Sequence, residues 1–206
     1  MLMAKEYKSY TTEKGKTMWA KVNTQIDTFE QLDGTIKEVG YVINVYFDDA
    51  TTEKLKKQAN QAIVDAKSSG DYVNKKTGKP MAWRENPRVP YAVDDEGKTY
   101  FKFKTNHKKK LEDGSLADKY VSLFDASLNQ MEKMTAIGNE SIVKINYTPE
   151  VFYISTEQNG VKFYLNAIQI IDLKTFNGGS DGAAFGFGVE VNNDYFPVDH
   201  EEEPFV

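Results

Sequence analysis

Within residues 98–105, Lys-Thr-Tyr-Phe-Lys-Phe-Lys-Thr, polar and apolar side chains alternate from Tyr100 to Lys104. A period of two belongs to an extended strand and cannot be read as a helix stripe. It puts Tyr100, Lys102 and Lys104 on one face and Phe101 and Phe103 on the other. One face is built for a core, the other for water or a charged ligand. Similar segments fill the chain. Residues 18–26 read as a first strand, with Trp19, Lys21 and Asn23 opposite Met18, Ala20 and Val22. Residues 39–47, 120–125, 141–147, 151–155, 161–166 and 167–173 are further strands, rich in β-branched and aromatic residues. Asp33-Gly34 and Glu157-Gln158-Asn159-Gly160 supply turns, and Lys108-Lys109-Lys110 reads as a basic loop. One stretch has helical period: Leu55, Ala59, Ala62, Ile63 and Ala66, with Thr51 or Thr52 as the cap and Ser68-Ser69-Gly70 as the end. Many short strands and one helix predict a mainly β fold, a small and partly open barrel or a sandwich.

Charge is divided unevenly along the 206 residues. All 26 Lys and Arg lie in residues 1–174 with 24 of the 31 acids, and residues 175–206 hold the other seven acids. The expected organisation is one domain over residues 1–176 and a disordered acidic tail over residues 177–206, opened by the glycine-rich run from Asn177 to Gly182. A mildly basic body with an acidic tail fits a polyanionic ligand that the tail imitates, and it also fits a tail that only solubilises. Zero cysteines exclude disulfides and thiolate zinc sites. With only His107 and His200, a histidine metal site or a Ser-His-Asp triad is hard to build. Residues 1–8 lack the apolar run of a signal peptide and no stretch has transmembrane length, so a soluble cytoplasmic protein is expected.

Lysines beside an aromatic on the solvent face of a strand suit a nucleic-acid groove, because lysine pairs with phosphate and the ring stacks on any base. On the strand from Ser141, Lys144 shares a polar face with Asn146 and Thr148 opposite Val143, Ile145 and Tyr147, and Lys162 and Tyr164 share a face further on. Phe152 and Tyr153 point opposite ways if extended, one to the core and one to a base. Trp83, Arg84 and Arg88 sit in a polar loop, where a tryptophan either covers a core edge or stacks. Lys109 adds charge nearby. The run Asp94-Asp95-Glu96-Gly97-Lys98 has the acid-x-Lys spacing of metal-dependent nucleases, but a tight hairpin accounts for it fully.

Four segments in order resemble one family. They are Thr99 to Lys104; Val143 to Tyr147 followed by Val151-Phe152-Tyr153; Ile170 to Gly179; and Glu201 to Phe205. Over residues 39–206 the chain resembles the single-stranded DNA-binding proteins of short-tailed phages. The resemblance implies an OB-fold-like five-stranded barrel with one α-helix and additional loops and strands. It implies that Lys102 and Lys104 meet DNA backbone and that Phe152 or Tyr153 stacks on a base. It further implies a tail, Asp199, Glu201, Glu202, Glu203 and Phe205, that docks replicative DNA polymerase and helicase/primase.

The expected function is coating of single-stranded DNA in phage replication and recombination, in the cytoplasm of the infected bacterial host. No catalysis, metal or cofactor is implied, and a homodimer is left open. Two other classes remain compatible with the residues: a protein-interaction or virion protein without nucleic-acid binding, and a metal-dependent nuclease.

Overall fold

The computed structural model describes residues 8–74 and 76–175. The tail residues from Asp199 to Phe205 lie outside the described residues. In chain order the elements are β1 (Tyr10–Thr11), β2 (Gly15–Lys21), β3 (Asp27–Glu30), β4 (Ile36–Tyr46) and α1 (Asp49–Ser68). Then follow β5 (Tyr91–Val93), β6 (Thr99–Thr105), β7 (Lys108–Lys110), β8 (Leu116–Asp118), β9 (Ser122–Phe124), β10 (Ile142–Ser155) and β11 (Gln158–Asp172).

Five of these strands form a barrel in the order β2-β4-β6-β11-β10, and β10 returns to β2 through Val143 opposite Gly15. The barrel is closed, not partly open, and it is not a sandwich. Its pairs are antiparallel except β6 with β11, which run parallel at Phe103–Phe163 and Lys104–Tyr164. Closure brings the β2 backbone hard against the core. A Cβ on Gly15 would stand 2.5 Å from Val45 Cγ1 and Phe47 Cε1, so no larger residue fits that corner unless the core shifts.

Alternation along each strand fills the interior. Phe101, Phe103 and Phe163 are fully buried around Tyr147. The Phe101 and Phe163 rings are stacked with centroids 6.2 Å apart, and Tyr147 meets Phe163 at 4.6 Å. Of the stripe read from the sequence, Leu55, Ala59 and Ile63 of helix α1 cap this cluster, Ala62 packs against it half-buried, and Ala66 is buried further along. Gln58 on the same helix accepts the Tyr147 hydroxyl proton, and burial raises that phenol far above its usual range.

Several sequence expectations are corrected by local chemistry. The helix cap is Asp48, whose carboxylate accepts the Thr51 N–H at 2.7 Å, so Thr51 and Thr52 lie inside the helix. β2 ends at Lys21; a register shift between Met18 and Lys21, with Trp19 at φ +50°, leaves Ala20 and Val22 inside and Trp19 outside, as the alternation predicts. Asn23, past the end of β2 and itself at φ +57°, is buried and not beside the exposed Trp19; its amide donates to the Val121 and Lys133 carbonyls. The Lys108 to Lys110 run is a strand paired with β8, not a loop. The segments expected at 141–147 and 151–155 are one strand, and those at 161–166 and 167–173 are another. Pro149 does not break β10, since past Tyr147 only β11 pairs with it among the described residues and its missing N–H faces no second strand. The reversal between the two falls at Thr156 and Glu157, ahead of the expected Glu157 to Gly160 turn.

Candidate nucleic-acid interface

On β6 the burial pattern follows the sequence: Phe101 and Phe103 are inside, while Tyr100, Lys102 and Lys104 line the outer wall. What lies beside that wall is set by the loop before β5. β6 and β11 pair directly only near one end. Elsewhere residues 88–93 are wedged between them. Tyr91, Ala92 and Val93 pair with Phe101, Tyr100 and Thr99, and the Lys102 N–H donates to the Pro90 carbonyl at 2.7 Å. On the other side Arg88 bridges to Gly160: the Arg88 N–H donates to the Asn159 carbonyl and the Val161 N–H donates to the Arg88 carbonyl, both at 2.9 Å. Gly160 has φ +153°, and a Cβ there would stand 2.1 Å from the Arg88 oxygen. Only glycine permits that conformation and that approach together.

Asn159, fully buried, secures the same junction. Its amide donates to the Ser155 and Thr156 carbonyls, and its Oδ1 accepts the Arg84 N–H at 3.4 Å. In the sequence, Asn159 and Gly160 read only as part of a turn. No periodic signal marks a pairing made by one bridge, so the wedge was not legible.

The result is a cleft of about 390 Å³ lined by Arg88, Tyr100, Lys102, Lys104, Phe152 and Lys162, among others. Among the described residues, the side chains of Arg88, Lys102 and Lys104 have no hydrogen bond or ion pair to protein. Desolvation, then the Lys102 charge, hold the Lys104 ammonium below the usual lysine value, with Asp27 opposing. Lys102 and Lys104 repel each other and neither makes an ion pair among the described residues, a repulsion that a bound anion would relieve. Lys162 is different, because it is paired with Glu150 at 3.1 Å.

The cleft separates Phe152 from Tyr153. Phe152 lies on the outer side with the lysines. Tyr153 packs edge-on against Trp83 with centroids 5.6 Å apart, and Tyr72 completes the cluster. The Tyr153 hydroxyl donates to the Ala82 carbonyl at 2.7 Å. Trp83 thus covers an edge of the body, and Lys67 lies 5.7 Å from its ring centroid. Tyr164 is on the same wall, in register with Lys104. Burial raises its phenol, but bonds to Lys119 and Thr105 and the Lys119 charge outweigh this and leave it below the usual value. Besides Trp83 and Tyr153, three expected residues do not line the cleft: Lys144 is opposite Gln169 further along β10, Lys109 is on the β7–β8 hairpin, and Arg84 follows Trp83 in the loop held by Asn159.

Asp94 serves its turn. Its Oδ1 accepts the Glu96 and Lys98 N–H groups, and its Oδ2 accepts the Tyr46 hydroxyl at 2.8 Å. Burial first, then that bond to Asp94, push the Tyr46 phenol up to about 12, so it remains a donor at neutral pH. Among the described residues no cluster of three or more His, Asp or Glu is placed to hold a metal ion, and no helix is long and apolar enough to cross a membrane.

No family model matches the chain, and no curated protein does. Solved structures do. The single-stranded DNA-binding protein of bacteriophage Enc34, in complex with single-stranded DNA, aligns at 10% identity over 81% of this chain and 88% of that one, with a TM-score of 0.49. The single-stranded DNA-binding protein gp2.5 encoded by bacteriophage T7 aligns at 20% identity over 92% of this chain and 98% of that one, with a TM-score of 0.65. The closed five-stranded barrel with one helix is thus a fold that this chain shares with T7 gp2.5.

Proposed function

We propose that this chain is a non-enzymatic single-stranded DNA-binding protein of phage replication, acting in the cytoplasm of the infected bacterial host. The observation that carries the reading is the cleft on the outer wall of β6, where Arg88, Lys102 and Lys104, without an ion pair among the described residues, stand beside Phe152 and Tyr100. Cations that follow a phosphate backbone, with rings for the bases, are what binding without sequence preference requires. The fold shared with T7 gp2.5, whose name states single-stranded DNA binding, supports the same reading. Preference for DNA over RNA rests on the family resemblance, because stacking and phosphate pairing serve both.

Labelled oligo-dT mixed with the protein, with and without magnesium, should shift in electrophoresis and stay intact. Cleavage in magnesium would establish a nuclease. Absence of any shift would favour a protein-interaction role, for which the exposed Phe29, Leu32 and Ile36 around the β3–β4 hairpin offer a surface. Changing Lys102 and Lys104 together to Ala should flatten the slope of log K against log salt by roughly 0.7 per lost phosphate contact. An unchanged slope would make them ordinary surface lysines.

Stacking is assigned to Phe152. Phe152→Ala should cost about 1–3 kcal/mol of binding and leave the melting temperature nearly unchanged. Tyr153→Ala should instead lower stability by about 1–2 kcal/mol, through loss of its contacts with Trp83 and Tyr72, and leave binding nearly intact. The reverse pattern would place the base on the other side of β10.

The tail completes the proposal. Residues 175–206 carry seven acids and no Lys or Arg. Their carboxylates compete with phosphate for the lysine stripe, and Phe205 with Asp199, Glu201, Glu202 and Glu203 docks polymerase and helicase once DNA is bound. A chain ending at Asn177 should bind oligo-dT more tightly at low salt and lose that advantage as screening shortens the reach of exposed charges. Equal affinity at low salt would leave the tail a solubiliser or a docking peptide only.

A further inference from the structure

Lys119 is absent from every motif in the sequence, yet its ammonium has a defined and unusual place. It donates to the Tyr164 hydroxyl at 2.6 Å and to Thr105 Oγ1 at 2.7 Å. It also lies 4.6 Å from the Tyr164 ring centroid. No carboxylate among the described residues pairs with it. The segment that carries it is tied down by its own backbone, since the Lys119 N–H donates to the His107 carbonyl at 2.8 Å. Thr105 is the buried last residue of β6, and Tyr164 is on β11, so one side chain joins the two strands where they pair directly. Tyr164 is in register with Lys104 there, at the end of the unpaired lysine stripe.

A lysine held by two neutral hydroxyls gives up side-chain freedom without an ion pair in return. What it provides is a fixed ring. A tyrosine restrained at its hydroxyl samples fewer orientations, and binding then costs less in ordering.

We infer that Lys119 is a positioning residue that holds Tyr164 as an ordered aromatic wall of the single-strand site. This rests on the single-strand-binding reading. Tyr164 meets the base or sugar next to the phosphate that Lys104 pairs with, and Lys119 acts through the ring and does not touch the strand.

A double-mutant cycle on the full chain tests this. Oligo-dT affinity is measured across a salt series for the wild type, Lys119→Met, Tyr164→Phe and the double variant, with a thermal melt of each. Both single variants should weaken binding about 5- to 10-fold, the lower part of what a lost base stack costs. The double variant should be no weaker than the weaker single, because both changes remove one arrangement. The salt slope should stay at the wild-type value, and Lys119→Arg, which keeps the cation and two donors, should recover most of the affinity. Additive losses in the double variant, or unchanged affinity in Lys119→Met, would overturn the inference. So would a slope flattened by about 0.7, which would make Lys119 a direct phosphate contact. If the wild type itself fails to bind oligo-dT, the function reading fails and this inference with it; an additive cycle on a binding wild type sinks the inference alone.

Discussion

Barrel closure couples the two faces of β6, and the rest of the molecule depends on that coupling. Phe101 and Phe103 cannot enter the aromatic cluster with Phe163 and Tyr147 without sending Tyr100, Lys102 and Lys104 outward. A shift of register by one residue would bury two lysines and expose two phenylalanines, so the core holds the charges in place. The lysine stripe therefore needs no stabilising partner of its own. The packing behind it, and not an ion pair among the described residues, sets its position.

The cleft is a consequence of an incomplete seam. β6 and β11 meet along only a short stretch, and residues 88–93 fill the remainder with backbone. That insertion adds Arg88 to the rim and fixes the spacing between the β6 lysines and Phe152 on β10. It is possible only because Gly160 accepts the Arg88 backbone at a distance that no side chain would tolerate. At the other end of the seam, Lys119 ties Thr105 to Tyr164 across the same two strands.

Period-two and helical patterns made much of this legible in advance. The faces of β6, the apolar stripe of α1 and the outward position of Lys144 follow from alternation alone. The sequence reading failed where geometry is not periodic. A left-handed backbone at Asn23, past the end of β2, turned it inward, and a single bridge placed Arg88 against Gly160. Pro149 reads as a break in sequence, yet it costs little in a strand with a partner on one side only. The choice between Phe152 and Tyr153 was likewise beyond alternation, which separates them but does not say which side carries the lysines. Lys119 could not be found at all, because its partners Thr105 and Tyr164 are 14 and 45 residues away.

The central claim is that a single strand lies across the outer wall of β6, between residues 88–93 and Phe152. Photocrosslinking with an oligonucleotide carrying 4-thiothymidine, followed by mapping of the modified peptides, addresses it directly. Adducts should concentrate in β6 (Thr99–Thr105), the Phe152 end of β10 and the Lys162 to Tyr164 part of β11. Adducts confined to the exposed face of α1 or to the β3–β4 hairpin, with none on those three strands, would contradict the account.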